Sequence, residues 1–226
     1  MNKKLILKTL NDAILKCGKS NPYTLSYKDK EFIDNLNLTD YHEDIQHDDY
    51  NNILEELEFI QDDYQNELKF SENEINELMD YTQINYEFVN ERLYEEDYKY
   101  NNMLPKDDID KSIRILTRAL NKGEGLLENT ILHRYGFWDE TMKEGDIGVF
   151  KGFTSTSYQK NETEMFNMDD RRQIKIYTPA GTKGLVLNTD NGLSIHDEHE
   201  FLLNKGLRYY VLSTNKEEVE IVLLPS

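Results

Sequence analysis

The spacing of apolar residues changes from helical to strand-like near residue 128. Upstream, apolar residues recur at three- and four-residue intervals, as in Ile75, Leu78 and Met79 and again in 111–120. This is the spacing of one helix face. Downstream, short runs rich in β-branched and aromatic residues alternate with turn residues, which is typical of strands. A run of helices followed by a run of short strands predicts an α+β fold.

The downstream half predicts a series of short strands in quick succession. Their expected bounds are Thr130–Arg134, Ile147–Phe150, Gly152–Ser157, Arg172–Tyr177, Gly184–Leu187, Glu200–Leu203, Leu207–Ser213 and Glu218–Leu224.

The helical half begins with a separate N-terminal segment. The sequence of residues 1–68 predicts helices, with a turn at Asn21-Pro22. A second helical lobe follows from about residue 70. Its start is marked by Ser71 with Glu74 three positions later, the pattern of a capping box. We therefore expect an N-terminal helical segment over 1–68 and a larger domain over 69–226.

The acidity of the chain is concentrated in one stretch. The net charge is −18, and residues 40–110 carry 23 acidic against 4 basic residues. Such a field repels nucleic acid and anionic membrane surfaces and favours a basic partner. A solvated helical face is the simpler interpretation of this stretch. We expect no nucleic-acid partner.

Compartment signals are few. The single cysteine, Cys17, excludes an internal disulfide. The basic start of the chain is interrupted by Lys8, Asn11 and Asp12 too early for the apolar core of a signal peptide. No apolar run approaches the roughly 20 residues that cross a bilayer. We expect no signal peptide and no membrane span.

Glu198 and Glu200 form a Glu-x-Glu pair immediately before the apolar run 201–203. On a strand, both carboxylates face the same way, roughly 6.6–7 Å apart, and His199 faces the other way. Like charges this close are costly to bury. The pair is therefore either a solvated strand face or a site that uses two carboxylates.

Two upstream elements favour the second interpretation. Arg134 lies at the end of an expected strand, and 155–157 is a Ser-Thr-Ser run on another. An arginine, a Ser-Thr-Ser and a Glu-x-Glu, in this order, resemble the Arg–Ser–Glu class of mono-ADP-ribosyltransferases. The similarity is greater to the clostridial-type exoenzymes and the actin-modifying enzyme chains of binary toxins. It covers residues 70–226.

The resemblance implies a fold, a substrate and a reaction. The β core would be mixed, mainly antiparallel and built of two sheets. The substrate would be NAD, from which ADP-ribose passes to a protein acceptor. Glu200 would stabilise the oxocarbenium-like sugar, Glu198 would meet the acceptor, Ser155 would orient Glu200, and Arg134 would pair with a phosphate. A glutamate at position 198 implies arginine as the acceptor side chain.

The resemblance also implies further contacts with the dinucleotide. Residues 81–90 match a family helix in which a tyrosine and an asparagine touch NAD, here Tyr86 and Asn90, with Tyr81 ahead of them. Tyr86 and Asn90 are four apart and can face one ligand. Without the later motifs, Tyr81 and Tyr86 read simply as core aromatics. Phe166 matches the phenylalanine that packs on nicotinamide, and Arg171 or Arg172 is a weaker match to a phosphate contact.

One departure concerns the acceptor. The resemblance implies an aromatic residue three positions before Glu198, where this chain has Ile195. The acceptor protein therefore cannot be carried over from relatives. His196 and His199 lie beside acidic residues, but no His-Glu-x-x-His helix is present, so we expect no metal.

Several alternatives stay open. An NAD glycohydrolase would use water as the acceptor, and a non-catalytic interaction protein would use the acidic stretch alone. As a transferase, the protein is expected to be a monomer, either a bacterial toxin or effector or a phage enzyme that modifies host proteins. It would act in the cytoplasm of a target cell after delivery, or leave the cell by a non-classical route.

Overall fold

The structure is a computed structural model that describes residues 23–42, 69–94, 105–123, 125–168, 171–187, 193 and 200–225. Its main helices precede its strands, as the α+β prediction requires. The helices are α1 (Tyr27–Asp34), α2 (Glu72–Asp80), α3 (Tyr86–Tyr94), α4 (Lys106–Lys122) and the short α5 (Lys160–Thr163). A π-helical turn (Tyr81–Asn85) joins α2 to α3, and 3-10 turns cover Leu38–Asp40 and Glu164–Phe166.

The start of α2 confirms the capping box. Ser71 Oγ accepts from the backbone N–H of Glu74, and the Glu74 carboxylate accepts from the backbone N–H of Ser71. Glu74 is buried and also forms ion pairs with Lys122 (2.7 Å) and Arg118 (2.8 Å) of α4. Burial raises the pKa of Glu74, but these hydrogen bonds outweigh it and lower the pKa to about 2. The carboxylate thereby fastens α2 to α4.

The expected strands are all present, with ends that differ by at most two residues. They are β1 (Thr130–Gly136), β2 (Ile147–Phe150), β3 (Thr154–Ser157), β4 (Arg172–Thr178), β5 (Gly184–Leu187), β6 (Glu200–Leu203), β7 (Leu207–Thr214) and β8 (Glu218–Leu223).

The strands form one continuous sheet in the order β2-β7-β8-β4-β1-β3-β6-β5. All neighbours are antiparallel except β4 and β8, which are parallel. The junction of β1 with β3 is a single pair, His133 with Ser157. The sheet therefore divides into a five-strand part and a three-strand part. This confirms the mixed, mainly antiparallel core, and the two expected sheets are two parts of one sheet joined at this pair.

Apolar clusters pack on both faces of the sheet. One cluster combines side chains from both parts, including Leu132, Ile174 and Phe201. A second cluster packs α2, α3 and α4 against the three-strand part, through residues such as Leu116 and Leu202. Alternate residues of β6 enter different clusters, because successive side chains of a strand point to opposite faces.

The described part of the N-terminal segment packs on the five-strand part. Tyr41 meets the Tyr177 ring edge-on, with centroids 5.5 Å apart. A third cluster forms there with Ile131 and Val222. Asp29 of α1 is buried and pairs with Arg208 of β7 at 2.9 Å. Residues 1–22 and 43–68, with most of the expected N-terminal helices, lie outside the described residues.

Within the described residues, no helix has the length and apolar character needed to cross a membrane.

Candidate active site

The helical lobe joins Tyr81 to Asn90. The Asn90 side-chain amide donates to the Tyr81 hydroxyl at 3.0 Å. Tyr81 is buried, and its ring meets that of Phe153 edge-on, with centroids 5.8 Å apart. Burial raises the pKa of Tyr81, and the nearby charge of Glu200 raises it further. The hydroxyl therefore stays protonated, within electrostatic reach of Glu200.

The π-helical turn explains this contact. Tyr81 and Asn90 are nine residues apart, and at about 100° per residue a continuous α-helix would place them on opposite faces. The turn Tyr81–Asn85 interrupts the α-helical register between them. Tyr86, the residue four before Asn90, is 46% exposed, and its hydroxyl donates to Glu87 at 3.2 Å. Helical spacing alone pairs Asn90 with Tyr86, whereas the structure shows that Asn90 is hydrogen-bonded to Tyr81.

Gly152 lies directly against the same helix. A Cβ at this position would be 2.5 Å from Asn90 Oδ1 and 2.8 Å from Tyr94 Cε2, so any larger residue would displace the Asn90 amide or the Tyr94 ring. Among the residues that the structure describes, Asn90 Oδ1 is buried and has no hydrogen-bond partner. A buried acceptor without a donor is costly, so this oxygen is a candidate to receive a donor from a ligand.

Arg134 supplies a positive charge near the end of β1. Burial lowers the pKa of this arginine, while the charge of Glu200 raises it and that of Arg171 lowers it. Arginine nevertheless stays charged in proteins. Within the described part of the chain, its Nε is buried and lacks a hydrogen-bond partner. Arg134 is therefore a cation within electrostatic reach of Glu200, and its Nε donor has no partner among the described residues.

Glu200 begins β6, the middle strand of the three-strand part. It lies opposite Ser157 of β3 and Leu187 of β5, so its backbone is held on both sides. The residue is 8% exposed. A carboxylate fixed on a central strand near Arg134 and Tyr81 is preorganised to stabilise positive charge.

The Ser-Thr-Ser run lies on the neighbouring strand. Ser157 is directly opposite Glu200, and Ser155 is opposite Leu202. Residues paired across an antiparallel ladder, and residues two apart on a strand, share a face. Ser155 and Glu200 are therefore on one face, and Ser155 is the exposed residue of β3. Thr156 points to the other face and donates to the Phe201 carbonyl at 2.6 Å.

The connection between β3 and β4 carries the remaining candidates. Phe166 ends a 3-10 turn and is 38% exposed. Arg171 precedes β4, and its charge acts on both Arg134 and Tyr86. Arg172 instead pairs with Glu140 and donates to Thr214 at 3.2 Å. Arg171, rather than Arg172, is thus the second cation near the site.

The residues expected to meet the acceptor lie outside the described part of the chain. Glu198, together with Ile195, His196 and His199, belongs to the range 194–199. Among the residues that are described, no group of three or more His, Cys, Asp or Glu side chains comes together as metal ligands would.

The fold and this cluster define a class of enzyme. A helical lobe on a divided, mainly antiparallel sheet, with an arginine, a hydroxyl-rich strand and a buried glutamate at the junction, is the arrangement expected of ADP-ribosyltransferases. The ADP-ribosyltransferase exoenzyme family model matches residues 46–223, and the chain belongs to that family. None of the curated proteins matches this chain in sequence.

Solved structures show the same fold at low sequence identity. Vis toxin, an ADP-ribosyltransferase from Vibrio splendidus, aligns with a TM-score of 0.57 at 20% identity, over 76% of this chain and 86% of Vis. An ADP-ribosyltransferase from Clostridium botulinum aligns with a TM-score of 0.59 at 15% identity, over 82% of this chain and 99% of that one. A protein from S. aureus, solved with NAD, aligns with a TM-score of 0.57 at 16% identity, over 70% of this chain and 90% of that one.

Proposed function

We propose that this protein is an NAD-dependent mono-ADP-ribosyltransferase that modifies an arginine side chain of a protein acceptor. Membership of the exoenzyme family supports the transferase chemistry. The observation that carries the proposal is Glu200, a buried carboxylate on a central strand within electrostatic reach of Arg134 and Tyr81.

The proposed reaction breaks the bond between nicotinamide and ribose. The electron pair of this bond leaves with nicotinamide, and the sugar carbon becomes oxocarbenium-like, as in glycoside cleavage. The Glu200 carboxylate stabilises the positive charge that develops. A guanidinium nitrogen of the acceptor then bonds to the same carbon and loses a proton.

Glu198 is assigned to the acceptor step. Its carboxylate orients the incoming guanidinium and accepts the proton as the new bond forms. Ser155 shares a face with Glu200 and is assigned to orient that carboxylate. Glu198 is therefore required for transfer to arginine, whereas cleavage of NAD requires Glu200.

Two arginines are assigned to the diphosphate of NAD. Arg134 and Arg171 disfavour each other's charge, and each has a buried Nε without a hydrogen-bond partner among the described residues. A bound dianion would relieve this repulsion, and guanidinium groups match phosphate oxygens well. Asn90, held by Tyr81, offers its free Oδ1 to a hydroxyl of the substrate.

Two exposed aromatic residues complete the proposed NAD site. Tyr86 lies on α3 near the charge of Arg171. Phe166 lies on the connection between β3 and β4. Both present ring surface to solvent, and we assign Phe166 to pack on the nicotinamide ring.

The choice of arginine rests on Glu198 and on one structural relative. Vis has been solved in complex with agmatine, which carries the same guanidinium group as arginine. The other relatives do not indicate an acceptor. The acceptor protein is proposed only as one that presents an accessible arginine.

The family supports a proposed biological setting. A toxin, effector or phage enzyme of this kind would act as a monomer in the cytoplasm of a target cell after delivery. We propose that residues 69–226 form the catalytic domain. Within the N-terminal segment 1–68, the acidic stretch from Asp40 to Glu67 is proposed to govern acceptor recognition.

An NAD glycohydrolase is the second candidate. It would use Glu200 in the same way, with water in place of arginine. The free Oδ1 of Asn90 and the two arginines are equally compatible with it. Only an acceptor assay separates the two activities.

The test uses labelled NAD, a host lysate and the variant Glu198→Gln. For the wild-type protein, we expect mass spectrometry to find the label on arginine. For Glu198→Gln, we expect arginine labelling to be lost while nicotinamide release stays measurable. Label found only on cysteine, asparagine or glutamate would overturn the arginine assignment, and equal loss of both activities in the variant would overturn the role of Glu198.

A further inference from the structure

We propose that the dipeptide Gly136-Phe137 positions the two guanidinium groups of the diphosphate site. This inference rests on the proposed function, because it assumes that Arg134 and Arg171 bind the NAD diphosphate. The sequence motifs singled out neither Gly136 nor Phe137. Gly136 lies against the Arg134 guanidinium, and Phe137 lies against that of Arg171.

Gly136 provides the space in which the Arg134 guanidinium lies. A Cβ on Gly136 would be 3.1 Å from Arg134 Nε and 3.2 Å from Nη2, and the three nearest atoms all belong to this guanidinium group. Gly136 is not among the glycines with positive φ. Alanine therefore fits the backbone here, and its main effect would be to displace the guanidinium.

Phe137 contacts the other arginine. The Arg171 guanidinium carbon lies 5.4 Å from the centre of the Phe137 ring, within the range of a cation–π interaction. Gly136 and Arg172 form the last pair of β1 with β4. One step beyond, Phe137 and Arg171 are cross-strand neighbours. The end of the β1–β4 ladder therefore sets their contact.

The exposure of Phe137 supports a role for its ring. Phe137 is 71% exposed, so it contributes little to the core. Isolated exposed aromatics are common and need no explanation. Here, however, the ring faces a guanidinium whose Nε is buried without a hydrogen-bond partner among the described residues. The ring holds Arg171 at a fixed distance from Arg134 without using the N–H donors that a phosphate would need.

The experiment compares Phe137→Leu, Phe137→Tyr and Gly136→Ala with the wild-type protein. Nicotinamide release gives KM and kcat for NAD, and calorimetry gives the affinity for inorganic pyrophosphate. Tyr27→Leu is the matched control, because Tyr27 is 80% exposed on α1. Melting temperature reports the fold of each variant.

We expect Phe137→Leu to raise the KM for NAD and weaken pyrophosphate binding by about 3–10-fold, with little change in kcat. Phe137→Tyr should keep the KM for NAD and the pyrophosphate affinity near their wild-type values, because a tyrosine ring is also a cation–π partner. Gly136→Ala should weaken both about tenfold or more, because small displacements of positioning groups are costly. Melting temperatures and the Tyr27→Leu values should stay near wild type.

The outcomes separate this inference from the proposed function. If the wild-type protein binds NAD and pyrophosphate but the three variants bind them equally well, the dipeptide has no positioning role. Equal impairment of Phe137→Leu and Phe137→Tyr would also overturn the inference. If the wild-type protein binds neither compound, the diphosphate site and this inference are both wrong.

Discussion

The Asn90 side chain hydrogen-bonds to the Tyr81 hydroxyl at 3.0 Å, across a π-helical turn that separates them by nine residues. In this bond the nitrogen end of the Asn90 amide faces Tyr81. The nitrogen is used as the donor, so the oxygen is left as an acceptor beside Gly152. A structural hydrogen bond in the helical lobe therefore orients a group toward the β core.

Tyr81→Phe tests the role of this bond. The ring packing on Phe153 is kept, but Asn90 loses its acceptor and can turn its amide. We expect the KM for NAD to rise about tenfold, with a stability loss on the order of 1 kcal/mol. Steady-state nicotinamide release and thermal unfolding measure the two effects.

The control is Tyr41→Phe. Tyr41 is also a buried tyrosine, and it packs in the cluster that joins the N-terminal segment to the five-strand part. This substitution should leave the KM for NAD unchanged. An unchanged KM in Tyr81→Phe would show that the orientation of Asn90 does not matter for NAD.

Arg134→Lys tests the phosphate assignment with the charge retained. An ammonium cannot make the forked contact of a guanidinium with phosphate oxygens. We expect NAD affinity to fall by about 10–100-fold, the range for losing a hydrogen bond to a charged group. Calorimetry that finds the same NAD affinity would make Arg134 a structural residue.

Glu74 predicts a specific dependence of stability on pH. Its pKa is lowered to about 2 in the folded protein, against about 4.3 for an unperturbed glutamate. A depressed folded pKa stabilises the protein above the unfolded value, and this contribution is lost as pH falls from about 4.3 to about 2. Glu74→Gln should therefore destabilise the protein by on the order of 2–3 kcal/mol at pH 7.

In Glu74→Gln, the free energy of unfolding should also fall less steeply than in wild type as the pH is lowered. Denaturant unfolding at several pH values between 2 and 7 measures this. Glu72→Gln, exposed on the same helix, is the matched control and should behave like wild type. Equally steep falls in Glu74→Gln and wild type would show that Lys122 and Arg118 do not hold Glu74 ionised.

Two truncations test what the N-terminal segment does. Deletion of residues 1–22 leaves the contacts of Asp29, Tyr41 and their neighbours in place. Deletion of 1–42 removes the Asp29–Arg208 ion pair and uncovers Ile131, Tyr177 and Val222. We expect the longer deletion to lower the melting temperature clearly more than the shorter one does.

A different result would favour recognition over packing for residues 23–42. In that case, the longer deletion would keep its melting temperature and NAD hydrolysis but lose modification of the acceptor. The contacts on the five-strand part favour packing for these residues.

The strands were predictable and parts of the site were not. Strand ends agree to within two residues because apolar runs and turn residues alternate clearly after residue 128. The capping box at Ser71 was also predictable, because it depends only on two residues three positions apart. Gly136, Phe137 and Gly152 escaped prediction because their importance lies in which side chain faces them. The contact of Tyr81 with Asn90 escaped because a π-helical turn has no simple sequence pattern.

The central claim is that the Glu200 carboxylate drives cleavage of NAD. Nicotinamide release by Glu200→Gln, measured beside wild type under saturating NAD, tests it most directly. Glutamine has nearly the same shape but no charge to place near the oxocarbenium-like sugar. We expect kcat to fall about 10²–10³-fold with little change in melting temperature. A folded Glu200→Gln protein that releases nicotinamide at the wild-type rate would contradict the account.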